Sequence, residues 1–410
     1  MHSKQLAFIL TTLLVFFVNQ YTSAQVFKDI DLKSKYDVNG DLTVSHRLYH
    51  DGGSFTIYFS VALLHDMAFA ENYIISTEIK PSYTSLESLH KDTLNLEQAF
   101  LGKNVNEYYF SYTQQSIPDA ELLVLKIFNK NSREVYYHDI QLSTRFNFPA
   151  ANILPQYSDN GLPMLRSFHY ENEPLTFNPV FNSSGQIFVY YYSNDFEIAD
   201  PPMIVESQQV SRGLTLDSLF VIEFGEEISF TNKGLYLLQL DTASSEAVSI
   251  RIEDKDYPRF TLIDDLLKPT VYISTRNERA VLESTASKRA AFESFWVNTT
   301  KSEDLAKTVI RMYYRKAQES NFLFSNYKEG WKTDMGMVYM VFGKPDRVHR
   351  DEQIEEWIYR GDVPTSSVNF TFVKVKNIFS NNHYALIRDK KYDRAWFRTV
   401  ESWRRGRLRN

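Results

Sequence analysis

Alternating apolar and polar residues fill much of the segment 25–146. Residues 54–61 read Ser-Phe-Thr-Ile-Tyr-Phe-Ser-Val, and this alternation has the two-residue period of a half-buried strand. Residues 107–112 and 121–128 have a similar pattern. Turn-forming residues separate these runs, among them Asn39-Gly40, which predicts a hairpin because both turn positions need a positive φ. The spacing of strands and turns predicts a β-sandwich-like domain over residues 25–146.

A second series of strand patterns occupies residues 147–268. Pro149, Pro155 and Pro163 mark its beginning. Four segments rich in aromatic and aliphatic residues are typical of strands, namely 186–193, 219–224, 234–241 and 248–253. We predict a second β-sandwich-like domain here. A single larger sheet system shared with the first domain is the alternative.

The apolar period changes after Pro269. Phe292, Phe295 and Trp296 recur at the spacing of one helix face, and residues 300–303 predict a capping box at the start of the next helix. Strand patterns return at four segments: 337–342, 356–360, 368–375 and 384–387. Residues 269–410 are therefore expected to form an autonomous α+β domain of helices plus an antiparallel meander. The fold class is mainly β with this C-terminal α+β domain.

The first 24 residues have the order of a secretory signal peptide. Lys4 precedes the apolar run 6–18, and small and polar residues follow up to Ala24. The apolar run is shorter than the ~20 residues of a membrane-spanning helix. We predict cleavage after Ala24, no transmembrane span in the mature chain, and a periplasmic or secreted location. The chain has no cysteine, so it is not a lipoprotein.

Composition and charge narrow the chemistry further. Without cysteine, neither disulfides nor thiolate zinc or iron–sulfur sites can form. The net charge is −6, but residues 271–410 hold 26 Lys and Arg against 17 Asp and Glu. A basic C-terminal part can attract an anionic partner, although a simply solvated basic face explains the same pattern. We expect no nucleic-acid partner for an exported protein.

The segment 330–346 contains residues that build turns. Gly330 is expected to adopt a positive φ, Trp331 to be buried, and Thr333 and Asp334 to bind backbone N–H groups of their own turn. Gly336 permits a close approach at the entrance of the predicted strand 337–342. Gly343, Pro345 and Asp346 are expected to end this strand, and Trp357 follows in the next one.

This segment resembles the GWxTD domain family of exported bacterial proteins. The residues that carry the resemblance are Gly330-Trp331-Lys332-Thr333-Asp334, then Gly343-Lys344-Pro345-Asp346, and Trp357. The similarity covers about residues 275–400. It implies an exported protein with a β-rich N-terminal region and names no reaction. Met335 stands where the family often has a basic residue, so no activity is assigned to a cation at that position.

Two uses of the motif are open at this stage. Trp331 with a turn-forming Thr333 and Asp334 is typical of a structural device. Alternatively, carboxylates from neighbouring turns and strands could act as an acid/base pair; the candidates are Asp334, Asp346, Glu355 and Glu356. None of the G-x-S-x-G, Walker, H-E-x-x-H or G-x-G-x-x-G patterns occurs, which favours a non-catalytic protein.

The C-terminal tail interleaves tryptophan with arginine. Trp396 and Trp403 could lie at a membrane interface while guanidinium groups contact anionic headgroups; the candidate contacts are Arg398, Arg404, Arg405, Arg407 and Arg409. In the alternative, both tryptophans pack on the domain and the arginines are solvated.

Three functions follow from these patterns. The first is a non-enzymatic envelope protein that acts as a binding, scaffold or assembly-accessory module through its C-terminal domain. Its partner would be an envelope protein or an anionic envelope component, and peripheral membrane contact is compatible with it. The second is an envelope glycan or peptide hydrolase using the carboxylates above. The third is a sugar- or peptide-binding module using Tyr190, Tyr191 and Tyr192. We expect no cofactor and no metal. The sequence does not set the oligomeric state.

Overall fold

The computed structural model describes residues 25–65, 67–193, 195–205, 214–361 and 367–407. The predicted signal peptide lies outside these residues. Within them the chain is mainly β with a C-terminal α+β part, as the sequence predicts.

Two four-stranded antiparallel sheets share one core in the N-terminal part. Their strands are β1 Leu42–His50, β2 Ser54–Leu63, β3 Tyr73–Lys80, β4 His90–Thr93, β5 Phe100–Asn104, β6 Glu107–Gln115, β7 Leu122–Asn129 and β8 Val135–Gln141. The strand orders are β1-β2-β6-β5 and β4-β3-β7-β8. One-turn helices α1 (Phe69–Asn72) and α2 (Leu96–Ala99) connect strands. Alternate residues of both sheets, such as Phe59 and Ile127, are fully buried between them.

The hairpin predicted at Asn39-Gly40 is wrong. The preceding residues Lys33–Tyr36 form a 3₁₀ turn instead of a strand. Tyr36 does not join the predicted hairpin, because its ring packs against Phe324 and Trp357 of the C-terminal part. Phe27 and Leu32 belong to that same core. Residues 27–36, which sequence reasoning placed in the first sandwich, therefore pack on the C-terminal part of the chain.

The second β region combines a five-stranded and a three-stranded sheet. Its strands are β9 Leu154–Tyr157, β10 Phe168–Tyr170, β11 Pro174–Asn178, β12 Gln186–Tyr192, β13 Ser218–Glu223, β14 Glu227–Ser229, β15 Gly234–Gln239 and β16 Val248–Glu253. The orders are β10-β16-β15-β12-β13 and β14-β11-β9, and β10 pairs parallel to β16. Ile187, Leu238 and Phe177 lie in the core between the two sheets.

The C-terminal part packs helices against a meander. The helices are α3 Ile263–Leu267, α4 Arg276–Ser284, α5 Lys288–Thr300, α6 Glu303–Phe324, α7 Asp334–Phe342 and α8 Asp393–Arg404. The strands β17 Arg347–Arg350, β18 Ile354–Tyr359, β19 Val368–Lys374 and β20 Tyr384–Leu386 pair in sequence order and antiparallel. Among the described residues, no helix is both long and apolar enough to cross a bilayer.

Two local predictions fail in this part. Residues 337–342 belong to helix α7, not to a strand. Met335 through Val341 are all buried, and a run that is apolar on every side has no period that separates helix from strand. The capping box predicted at Thr300 is also wrong. Ser302 caps α6 by accepting from the Leu305 N–H, while Thr300 ends α5.

Candidate functional site

Both glycines of the motif allow close backbone contacts. Gly330 begins a 3₁₀ turn, Gly330–Lys332, that lies against helix α6. A Cβ atom on Gly330 would lie 2.0 Å from the Ser320 carbonyl oxygen, and one on Gly336 would lie 1.8 Å from the Gly330 carbonyl oxygen. Gly330 does not have the predicted positive φ. A glycine is required there because the turn and α6 touch through their backbones.

Trp331 is buried, as predicted, with 2% of its surface exposed. Its ring meets Phe260 and Tyr272 edge-on. Its backbone is bonded on both sides: the N–H donates to Asn321 Oδ1 at 3.1 Å, and the carbonyl oxygen accepts from the Tyr272 hydroxyl at 2.9 Å. Trp331 thus joins α6 to the segment around Tyr272, which lies between α3 and α4.

Thr333 and Asp334 have different partners from each other. Thr333 Oγ1 accepts from the Gly336 N–H at 2.9 Å and caps helix α7, as a turn residue should. Asp334 does not bind its own turn, so that prediction is wrong. Its carboxylate accepts from the Leu386 N–H at 2.7 Å and from the Arg388 guanidinium at 2.6 and 3.2 Å. It therefore fixes the end of β20 to the start of α7.

A buried charge network connects the motif to the second β region. Lys332 is 2% exposed and lies 3.0 Å from Glu329. Glu329 also pairs with Arg251 of β16 at 3.4 Å. Burial alone would raise the pKa of the Glu329 carboxyl, but Arg251 and Lys332 outweigh it and lower the pKa to about 2. The second β region and the motif are therefore held together by ionised groups.

A second buried network joins three distant parts of the chain around Arg350. The Arg350 guanidinium bonds both oxygens of Asp139 on β8, at 3.0 and 3.2 Å, and pairs with Glu355 on β18. The Tyr36 hydroxyl accepts from Arg350 at 3.2 Å and donates to Glu355. Lys35 also pairs with Asp139. Burial would raise the pKa of Asp139, but Arg350 and Lys35 hold it well below its usual range.

A cavity of about 390 Å³, lined by polar and apolar groups alike, lies beside this network. Residues from β1, β8, the segment 147–150, β16 and the loop 378–382 contribute to its wall. His46 and His138 bridge the edge strands β1 and β8 through a 2.8 Å ring-to-ring hydrogen bond. Burial and the nearby Lys35 lower the pKa of His46 to about 3, so both rings are neutral at physiological pH. The cavity lies where the two β regions and the C-terminal part meet.

Comparison with known proteins identifies the C-terminal part. Residues 234–405 match the GWxTD domain family. The chain carries a GWxTD domain. The match begins at β15, well before Pro269, and it includes Arg251, whose side chain pairs with Glu329 next to the motif. The strand that supplies this buried cation is thus part of the GWxTD match.

The other comparisons add little. No curated protein matches the chain. The crystal structure of Dpr11 IG1 bound to DIP-gamma IG+IG2 aligns at 10% identity over 52% of this chain and 98% of that one, with a TM-score of 0.15. That score is too low to support any argument about the fold.

The carboxylates proposed for hydrolysis do not face one another. Asp334 is held by Arg388, and Glu355 is fully buried against Arg350. Asp346 and Glu356 are exposed, and the Asp346 side chain accepts from the Arg360 N–H at 2.7 Å. None of these four acids lines the cavity. The structure does not bring them together as an acid/base pair.

The remaining motif residues of the GWxTD domain support its core. Gly343 ends α7 at a φ of 77°, and its carbonyl oxygen accepts from the Tyr359 hydroxyl at 2.8 Å. Pro345 is buried in the turn before β17. Trp357 is fully buried, and its indole N–H donates to Glu355 at 2.7 Å. These contacts are structural.

The C-terminal helix α8 buries its tryptophans. Trp396 and Trp403 are 3% and 5% exposed, and the Trp403 indole donates to the Val341 carbonyl oxygen at 2.9 Å. Neither lies at a membrane interface, so that interpretation of the tryptophans is wrong. Phe397 is instead the exposed aromatic of α8, at 61%.

The predicted arginine contacts divide into paired and exposed side chains. Arg404 forms a bidentate ion pair with Glu278, with N–O distances of 2.8 and 3.0 Å, so it supports the fold. Arg405 is exposed and pairs with Glu401 on the same helix. Arg398 and Arg407 are exposed. Arg409 lies outside the described residues.

Several charged residues of the buried networks and of the cavity wall were missed by sequence reasoning. Arg251, Asp139 and Lys374 each lie within a strand whose neighbours are mostly apolar. A charge inside such a run is a signal of burial, because charged groups are rarely buried without a partner. The partners themselves could not be inferred, since they come from distant segments. Among the described residues, no group of three or more His, Asp and Glu side chains is placed to hold a metal ion.

Proposed function

We propose that this protein is a non-enzymatic exported envelope protein that acts as a binding or scaffold module. Its signal peptide would be removed after Ala24, leaving a periplasmic or secreted chain. The GWxTD domain would contact an anionic envelope component through helix α8, with the two β regions fixed to it as a support.

The internal use of the motif supports a non-catalytic role. Lys332 and Asp334 are both paired with side chains of the same chain. Thr333 is engaged as a helix cap. These groups are occupied in holding the GWxTD domain together, so none is left to act on a bound substrate.

The exposed face of α8 carries the proposal. Phe397 is 61% exposed between the exposed Arg394 and Arg398. Neither arginine forms an ion pair with any other described residue. An exposed aromatic ring flanked by exposed guanidinium groups suits an anionic lipid surface, because the ring enters the headgroup region while the cations contact phosphates.

Co-sedimentation of the mature chain with vesicles tests this proposal. We expect binding to vesicles containing anionic lipid, weaker binding to neutral ones, and loss in high salt because exposed charges are screened beyond ~8–10 Å. Each cation near an anionic surface contributes about 1 kcal/mol, so the double variant Arg394→Gln/Arg398→Gln should bind roughly 30-fold more weakly.

The matched control is Arg311→Gln/Arg315→Gln, which removes two exposed arginines at the same spacing from helix α6. It should bind anionic vesicles like the wild type. If both double variants lost the same affinity for anionic vesicles, binding would depend on net charge and not on α8. Equal, salt-insensitive binding to neutral and anionic vesicles, or no binding to either, would refute a role for α8.

A further inference from the structure

Lys374 lies in the wall of the cavity and has no carboxylate partner among the described residues. It lies half-buried at the end of β19. Its ammonium donates to the Gln141 side-chain oxygen at 2.8 Å and lies 6.0 Å from the centre of the Tyr384 ring. No carboxylate of the described residues forms an ion pair with it. A partly desolvated ammonium held by a neutral amide is costly, and a negatively charged ligand would compensate it.

The neighbouring charges do not supply this compensation. Asp139 and Glu355 are committed to Arg350, and Asp139 also pairs with Lys35. These two cations and two carboxylates balance one another. Lys374 is therefore a positive charge in excess of the balanced network.

Arg47 is a second cation in the cavity wall that forms no ion pair with a carboxylate of the described residues. The Arg47 guanidinium on β1 donates to the carbonyl oxygens of Met164, at 2.9 Å, and Arg166, at 3.4 Å. Both acceptors are neutral. The Arg166 side chain lies in the same wall and is balanced by Glu107 at 3.1 Å. The wall thus has a net positive charge that includes Lys374 and Arg47.

Asn147 gives an independent sign that the wall beside Lys374 is incomplete. It lines the cavity at 9% exposure, and its side-chain N–H₂ donates to the same Gln141 oxygen at 3.1 Å. Its side-chain oxygen is buried and finds no hydrogen-bond partner among the described residues. Buried polar atoms are normally bonded, and a hydroxyl group on a ligand could satisfy this one.

We propose that the cavity binds a small ligand bearing an oxyanion, a carboxylate or a phosphate, with the charged group on Lys374. The Asn147 amide, once turned towards the cavity, would accept from a hydroxyl of the same ligand. The volume of about 390 Å³ lies within the range of small-molecule sites, roughly 300–1,000 Å³. A hydroxylated acid or a sugar phosphate combines these features.

Binding should depend on pH through Lys374. Burial and the nearby Arg350 lower the pKa of Lys374 to about 7. The other charged groups that act on it are Lys35, Asp139 and Glu355, and His46 and His138 stay neutral. A carboxylate ligand keeps a constant charge over this range and favours the protonated ammonium, so its affinity should fall as pH rises from 6 to 8.

Calorimetric titration of the full mature chain with three probes tests the site. Inorganic phosphate and glucuronate represent the two oxyanions, and glucose is the neutral probe. The wild type should bind at least one oxyanion and not glucose. Binding of phosphate or of glucuronate then tells whether the site takes a phosphate or a carboxylate group. The variant Lys374→Gln should bind about tenfold to a hundredfold more weakly, because a hydrogen bond to a charged group is lost.

Lys390→Gln is the control, since Lys390 is exposed on a 3₁₀ turn away from the cavity wall. It should bind like the wild type, and melting curves should show all three proteins folded. The pH series with glucuronate on the wild type tests the site without any variant. Equal oxyanion binding by Lys374→Gln, equal binding of glucose, or no binding by the wild type would overturn the proposal. None of these results depends on vesicle binding by α8.

Discussion

Replacing Arg350 by Leu should destabilise the GWxTD domain strongly at neutral pH. Arg350 is 8% exposed and bonds Asp139, Glu355 and the Tyr36 hydroxyl. Removing one member of a buried ion pair costs about 3–5 kcal/mol, because the other member stays buried without compensation. Asp139 keeps Lys35, and Glu355 keeps hydrogen bonds from Tyr36 and Trp357. We therefore expect the lower end, about 3 kcal/mol.

The loss of stability caused by Arg350→Leu should be smaller in acid, because it depends on the ionised carboxylate of Asp139. Its pKa is depressed in the folded state, so its contribution to stability is present above the unfolded pKa of about 3.9 and is lost as pH falls through the folded value. In Arg350→Leu much of that depression disappears. The difference in unfolding free energy between wild type and variant should thus be large at pH 7 and smaller at about pH 3, which lies below the unfolded pKa.

Urea unfolding followed by tryptophan fluorescence measures this difference. All five tryptophans lie within residues 234–405, so the signal reports on the GWxTD domain. Arg347→Leu is the control, since Arg347 is exposed on the same strand, and it should change stability by no more than about 0.5 kcal/mol. The reasoning is refuted if Arg350→Leu unfolds at the same urea concentration as this control. It is also refuted if the variant loses the same amount of unfolding free energy at both pH values.

Three further predictions concern the ends of the chain and the motif. Replacing Trp331 by Ala should cost about 3–5 kcal/mol, the scale for a core tryptophan; a wild-type melting curve would contradict its structural role. A fragment of residues 269–410 should fold poorly, contrary to the autonomy expected from sequence, because it lacks Tyr36 and Arg251; a cooperative melt at the wild-type temperature would count against the buried networks. Mass spectrometry of the exported protein should show Gln25 as the first residue, whereas a retained Met1 would contradict cleavage.

The tail gives a similar prediction about stability. Truncation after Glu401 looks harmless in the sequence, which ends in arginines. It would remove Trp403, 5% exposed, and the pair between Arg404 and Glu278. The truncated chain should therefore melt well below the wild type, and an unchanged melting temperature would show that α8 contributes little to the core.

Local patterns predicted much of the fold. Strands such as residues 54–61 were evident because their large apolar side chains, among them Ile57 and Phe59, all lie on one face, so the period of two survives in the sequence even though much of the other face is buried as well. The burial of Trp331 followed from its size and the turn residues around it. Helix α7 could not be separated from a strand, since Met335 through Val341 are buried on all sides.

The partners in the site could not be predicted, because they depend on contacts between distant segments. Asp334 looked like a turn residue and binds Arg388. Tyr36 looked like part of a hairpin and reaches Glu355, 319 positions away. Local propensity has no information about such pairs.

The central claim is that the GWxTD motif holds the domain together while the exposed face of α8 makes the contact. Melting temperature and anionic-vesicle binding, measured side by side on Asp334→Asn and on Arg394→Gln/Arg398→Gln, test it most directly. Asp334→Asn should melt lower, because charged hydrogen bonds worth about 1.5–3 kcal/mol each are weakened, and should bind normally below its melting temperature. The double variant should melt like the wild type and bind weakly. An Asp334→Asn protein that melts like the wild type but no longer binds would contradict the claim.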